Sequence, residues 1–370
     1  MNGFGPLVFS RMEDQYQVLR SLFNHVLSPI CAIFGVLGNI TCLLAIWHRN
    51  RQSSNGLKGY MYTFLRGLVF ADLGYLACFI LYLYFEASLE SKCDHLYFVH
   101  QILFPTWNAF KATSDFIVIC MIINRSYVMK NITELRIQTL HKNTNGSSQR
   151  KTEWTVYLQL SVVVIFSFTL HLPYYFFDKI DKPTCYDNAT LSEDPDENPD
   201  ENSLWYIYFV LSVGLAKLVP LLVIVALNIA LVKNLKILAR RRKKVQQNII
   251  ESASMQDNNE TGKVWSVTNK ASIKEQKLTI LLVFIAVSYL VFTLPADITF
   301  VLVNLDIPLI GHIHEPLIIV TNFIETLNYA ANFYIYCAVH REIRESFVDL
   351  CRALTKLCCH RSSSSLTHPR

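Results

Sequence analysis

The chain has 370 residues, of which 52% are hydrophobic and only 17% charged, whereas an ordinary globular protein carries about 25% charged residues. That balance excludes a string of soluble domains, and Gly and Pro counts of 12 each exclude a collagenous or Pro/Gly-rich disordered chain. Ten cysteines, scattered and mostly within apolar stretches, exclude a small disulfide scaffold, and the net charge of +5 means little until the charges are placed along the chain.

Seven stretches are long enough to cross a bilayer as helix, which takes about 20 predominantly apolar residues. In chain order they are Val26–Trp47, Gly59–Phe85, Leu96–Met129, Trp154–Phe177, Leu204–Val232, Lys277–Leu305 and Pro316–Val339. The third and seventh are the least apolar, because Lys111, Asp115, Arg125, Asn322, Glu325, Asn328 and Asn332 interrupt them. Charged residues at membrane depth must face protein or water, so these two spans are expected inside a bundle. Unpaired backbone groups in hydrocarbon are costly, and the stretches are too long and unalternating for barrel strands. The expected fold class is an all-α membrane protein, a seven-transmembrane helix bundle with a short amphipathic inner-leaflet helix.

Orientation follows from the basic residues. With the N-terminus outside, the four segments on the cytoplasmic side hold 3, 5, 11 (counting Lys277 at its edge) and 6 of the 34 Lys and Arg. Positive charge marks the cytoplasmic side, so the chain is expected in the plasma membrane with its C-terminus inside. Acidic residues are distributed the opposite way, nine of them lying between Asp178 and Glu201. This segment is too polar to pack a core. Residues 1–25 form the expected extracellular N-terminus, 26–339 the membrane domain with 234–276 as its third cytoplasmic loop, and 340–370 an amphipathic helix and tail. The N-terminal MNGFGPLVFSR lacks the basic start and long apolar run of a cleaved signal peptide, so the first span is expected to act as the insertion signal. Of six Asn-x-Ser/Thr sequons only Asn188 falls outside in this topology, and it alone is expected to be glycosylated.

Within the spans, Gly38-Asn39, Leu68-Val69-Phe70-Ala71-Asp72-Leu73, Arg125, Pro220, Pro295 and Asn332-Phe333-Tyr334-Ile335-Tyr336 occur in order. Together they resemble the signature positions of rhodopsin-like (class A) G-protein-coupled receptors over residues 26 to 350. The ending Asn332 to Cys337 and the Pro105-Thr106-Trp107-Asn108 segment are similar to invertebrate FMRFamide-type and myosuppressin-type neuropeptide receptors. Several positions depart from the pattern: Asn124 replaces the acid before Arg125, Ser126 the following aromatic, Thr293 the aromatic two residues before Pro295, and Asn228 the tyrosine of the fifth span.

The resemblance implies a receptor that passes extracellular ligand binding to a heterotrimeric G protein, with an FMRFamide-like amidated peptide as ligand. It also implies a sodium ion and waters held by Asp72, Ser114, Asn328 and Asn332; the alternative is an Asp72 that is protonated or water-bonded and merely ties helices together. Arg125 is expected to pair with Glu275 at rest, and Tyr336 to join the coupling machinery. Intramembrane ionisable residues are functional candidates by default. Lys111, Lys217, Asp297 and Glu325 are therefore candidates for ligand contact, or else an internally neutralised polar network, and the resemblance implies that Trp107, Asn108 and Thr293 line the same space. Lys111 and Asp115 are four apart and share a helix face, where they can satisfy each other.

Cys93 and Cys185 are the cysteines placed outside, and their pairing is expected in an oxidising exterior. Ile343, Phe347, Val348 and Leu350 fall on one side of a short helix along the inner leaflet. After it come Cys351, Cys358 and Cys359 as palmitoylation candidates and a Ser-rich end suited to receptor kinases and arrestin. The basic run Arg240–Lys244 can meet anionic lipid or the G protein. No nucleotide cradle, nucleophile elbow or zinc-spaced set is present, so neither an enzyme nor a nucleic-acid binder is expected. Two other functions compete: a chemosensory receptor for small external molecules, and a proton-coupled transporter using the intramembrane carboxylates as relays.

Overall fold

A computed structural model describes residues 15–52, 60–88, 98–139, 147–177, 208, 211, 214–253, 259–304, 314–339 and 341–364. Among them there are helices and no strand. Seven long helices follow the seven predicted spans: α1 (Ser28–Gln52), α2 (Tyr60–Ser88), α3 (Phe104–Thr139), α4 (Ser147–His171), α5 (Val219–Ala253), α6 (Asn259–Asn304) and α7 (His314–Val339), followed by α8 (Arg341–Ser364). We call upper the end of the bundle where α1, α3, α5 and α7 begin, and lower the end where they finish. Wider π-helical turns lead into α1, α3 and α5 at Ser21–Leu27, Val99–Leu103 and Gly214–Leu218. Residues 234–276, expected as a loop, are helical wherever they are described, because α5 runs on to Ala253 and α6 starts at Asn259. Their polar sequence holds no Pro and a single Gly, Gly262, which lies within α6.

Among the described residues six helices are long and apolar enough to cross a membrane, namely those of α1 to α6. The polar residues of α7, among them Asn322, Glu325, Asn328 and Asn332, remove it from that set, and their burial shows why they are tolerated. Glu325, Asn328 and Asn332 face the inside of the bundle. Centrality differs sharply between neighbours: 67% of the apolar window of α3 is buried inside the bundle, against 17% for α4. α3 packs on α2, α4, α5 and α6, and α7 packs on α6, α1 and α2. Phe34, Leu158, Ile165, Leu222 and Val291 point outward, as lipid-facing side chains do.

Close helix approach depends on small residues, since packing rather than water exclusion holds helices together in lipid. A Cβ on Gly35 would lie 2.8 Å from that of Ala330, and one on Gly74 2.4 Å from the Phe110 ring. Asn39 locks the α1–α7 contact, its Nδ2 donating to the Gly35 and Tyr329 carbonyls at 3.0 Å each. α8 turns back beneath the bundle and packs on α1. There Ile343 is buried and Phe347 meets Phe333 edge to face at 5.7 Å. Val348, predicted on the apolar side, is exposed; Ser346 takes the buried place instead, because it lies three residues after Ile343 on the same face.

Candidate functional site

Three polar assemblies occupy the core. At mid-bundle, Asp72 of α2 is fully buried. Ser114 Oγ of α3 donates to its Oδ1 over 2.9 Å, and Asn332 Nδ2 of α7 donates to its Oδ2 over 2.6 Å. Each carboxylate oxygen thus has a partner, and three helices are joined through one side chain. Asn328 is buried one turn before Asn332, and Tyr336 one turn after it. The oxygens of Asp72 and Ser114 are of the hard kind that suits a sodium ion, although the carboxylate is already hydrogen-bonded by protein groups.

The lower assembly surrounds Arg125 of α3, which is 2% exposed despite its charge. Its Nε donates to Thr279 Oγ1 of α6 over 2.8 Å. Glu275, the expected partner, has its side chain outside the described residues; it stands one helical turn before Thr279 on the same helix. Asn124 turns away from Arg125, its Nδ2 donating to the Cys120 carbonyl at 2.8 Å and to Gln159 Oε1 of α4 at 3.2 Å. An amide at this position therefore ties α3 to α4, where an acid would have held the arginine.

The upper assembly is ionic. Lys111 Nζ of α3 donates to Asp297 Oδ1 of α6 over 2.8 Å and also contacts Glu325 Oε1 of α7. All three side chains are nearly inaccessible. One ammonium of α3 therefore clamps α6 and α7, and its α6 contact lies two residues after Pro295, the internal proline of that helix, where the backbone lacks a hydrogen-bond donor and bends more easily. The local pairing of Lys111 with Asp115 does not form. Two carboxylates brought across the core outcompete one on the same helix, since each would be stranded without the cation. Asp115 is left 1% exposed without an ion pair, with the Tyr289 hydroxyl beside it.

Above the clamp, Lys217 sits on the π-helical turn before α5, its Nζ 3.3 Å from the Phe300 ring centroid in a cation–π contact. It borders an open cleft lined by Phe104, Asn108, His171, Tyr174, Ala216, Lys217 and Phe300, whose own volume is about 10 Å³. Asn108, Lys217, Lys111, Asp297 and Glu325 thus gather in one upper region, with Thr293 buried one turn before Asp297. Trp107 does not join the cavity wall. It is buried among Tyr75, Phe79 and Tyr82, with ring centroids 5.3 to 5.6 Å apart, because its position on α3 faces α2. Among the residues not foreseen, Thr279 and Gln159 carry no charge and no motif, so nothing in the sequence singles them out.

Cys93, Cys185 and Asn188 lie outside the described residues, as do the side chains of Cys358 and Cys359; Cys351 is exposed on α8. Among the described residues no three His, Cys, Asp or Glu converge on a point that could hold a metal ion.

A seven-helix bundle with a carboxylate hub at its centre and a buried arginine at one end is the architecture of a G-protein-coupled receptor. Residues 26–353 match the family model described as serpentine type 7TM GPCR chemoreceptor Srw, and the chain belongs to that family. It is 23% identical over 347 residues, 88% of this chain and 68% of the relative, to a probable G-protein coupled receptor of Caenorhabditis elegans. The protein is thus a multi-pass membrane receptor rather than an enzyme, with an extracellular ligand and a G protein as its partners. The family corrects the neuropeptide-receptor subgroup expected from Asn332–Cys337 and Pro105–Asn108. Structurally, those segments serve internal contacts: Asn332 holds Asp72, Phe333 packs on Phe347, Tyr336 is buried and Trp107 packs against α2. Residues that hold the bundle together do not report its ligand.

Proposed function

We propose that this receptor is chemosensory, responding to a small external molecule that enters the cavity at the upper end and acts on the Lys111 clamp. The observation that carries the reading is that one buried ammonium joins α3 to both α6 and α7 below a small cleft that is open at the upper end. The upper end faces outside and the lower end the cytoplasm, as the basic residues require. A ligand that competes for Asp297 or Glu325 loosens α6 from α7, and movement of α6 then parts Thr279 from Arg125. This is a population shift between two states, limited by the ligand's differential affinity for them. In the resting state Asp72 and Ser114 would supply oxygens to a sodium ion.

An Arg-containing amidated peptide is the second reading, favoured by the nine acidic residues between Asp178 and Glu201, whose field attracts cations. The test is a calcium or cyclic AMP reporter in cells expressing the full chain, exposed in parallel to small odorants and to amidated peptides. Activation by a small odorant at concentrations where every peptide is silent supports the chemosensory reading. Activation by a peptide alone replaces it with the second.

A further inference from the structure

The charges of the upper assembly do not balance. Asp115, Asp297 and Glu325 are three buried carboxylates; Lys111 holds two of them, and Lys217 rests on Phe300 without an ion pair among the described residues. With every group ionised, these five would carry one negative charge in excess, which either a proton or a further cation has to offset. The unmet hydrogen-bonding capacity lies in the same place. Oδ2 of Asp297 and the buried hydroxyl of Thr293 make no hydrogen bond, and Asp115 has no well-formed one, the Tyr289 hydroxyl being the donor that approaches it. Thr293 stands one turn from Asp297 on α6, and Tyr289 lies beside Asp115. Water would satisfy the oxygens but not the charge, and an uncompensated buried carboxylate is among the costliest groups in a core. A metal ion does not suit the arrangement, because the acidic side chains do not converge on one point.

An organic cation fits both deficits, since an ammonium offers three donors and a guanidinium five in a fixed fork. Asn108, Lys111 and Asp115 follow one another at helical spacing along a single face of α3, and Asn108 lines the open cavity. We propose that the buried carboxylate of Asp115, together with the free oxygen of Asp297, binds an ammonium or guanidinium group of the external ligand. The proposal rests on the receptor reading and names its ligand chemistry, which a small amine or an arginine side chain can supply.

The test is thermal unfolding of the purified full-length receptor with 2-phenylethylamine, agmatine and the dipeptide amide Arg-Phe-NH2, beside the neutral N-(2-phenylethyl)acetamide and the anionic 3-phenylpropionate. A bound ligand raises the midpoint as its concentration passes its dissociation constant. At least one cation is expected to raise the wild-type midpoint while the neutral and anionic compounds do not. A shift by the two amines alone points to a small-molecule source, and one by the dipeptide alone to a peptide. Asp115→Asn should weaken the cation's effect by at least about tenfold, the scale of a lost charge-assisted contact, and Asp115→Glu should retain it. Unliganded Asp115→Asn should unfold at a higher temperature than wild type, because an uncompensated charge has been removed. Equal effects of the amine and its acetamide, no shift with any cation, or a lower midpoint for unliganded Asp115→Asn overturns the proposal. If Asp115→Asn does not fold, the wild-type comparison of amine with acetamide still decides. Failure of the receptor reading shows separately, as cation binding with no G-protein activation by any ligand.

Discussion

Asp72 and Asp115 are both carboxylates at the centre of the bundle, both sealed from solvent, and their surroundings are opposite. Ser114 and Asn332 donate one hydrogen bond to each oxygen of Asp72, binding α2, α3 and α7 into a closed unit. Asp115 is adjacent in sequence to the serine that serves Asp72, yet it faces the other way, toward Tyr289, with no ion pair and no well-formed hydrogen bond. One residue of helical rotation, about 100°, separates a satisfied carboxylate from an unsatisfied one. The contrast teaches that burial alone does not define a functional charge; what matters is whether the protein itself completes the hydrogen bonds. The hub around Asp72 holds the resting arrangement, and the assembly around Asp115 waits for something from outside.

The comparison can be broken most severely at Lys111. Lys111→Met strands Asp297 and Glu325 in the core, and the expected loss is about 3–5 kcal/mol, read as a large fall in the thermal midpoint of the purified receptor. An unchanged midpoint would mean that the two carboxylates are not held as ions. Asp72→Asn is milder, because an amide keeps one acceptor for Ser114 or Asn332 but sets an N–H against a donor; about 1–3 kcal/mol of stability should be lost. Set against the gain expected for Asp115→Asn, that loss would show directly that the two carboxylates play different parts.

At the lower end, Thr279→Val removes the acceptor on Arg125 Nε. Hydrogen bonds to charged groups are worth about 1.5–3 kcal/mol, so the lower bound corresponds to roughly a tenfold shift toward the active state. Ligand-independent G-protein signalling at equal surface expression should rise accordingly, and unchanged signalling would dismiss Thr279 as a restraint. The smallest effect is expected for Asn124→Ala. It loses an exposed-side tie between α3 and α4, worth about 0.5–1 kcal/mol, and should lower the midpoint slightly without raising basal signalling.

Much of this arrangement was legible in the chain. Seven apolar stretches gave the seven helices in order, because hydrocarbon leaves helix as the only economical conformation for each. Asp72, Ser114 and Asn332 were grouped through resemblance to receptor signatures, and the structure brings these three together. Lys111 shows the limit of the same reasoning. Its spacing from Asp115 suggests a local pair, and only the packing of α6 and α7 against α3 offers it two acids instead of one. Arg125 donates to Thr279 of α6, a residue with no charge to draw attention, while the side chain of Glu275, its expected partner one turn earlier, lies outside the described residues. Asn124 departs from the receptor pattern, but the sequence did not disclose that its amide would reach Gln159.

The sequence by itself determined where the helices run and which ionisable residues lie at membrane depth, since both depend on the transfer cost of each segment taken alone. Its motifs also placed the chain among G-protein-coupled receptors, though not in the right subgroup, because the residues that carried the finer likeness are spent on contacts inside the bundle. Only the tertiary structure decided which charges neutralise each other. Pairing is settled by distances across helices, and a buried cation goes to the site where leaving the acids alone would cost most. That competition brings Lys111 to Asp297 and Glu325 and leaves Asp115 without a partner of its own.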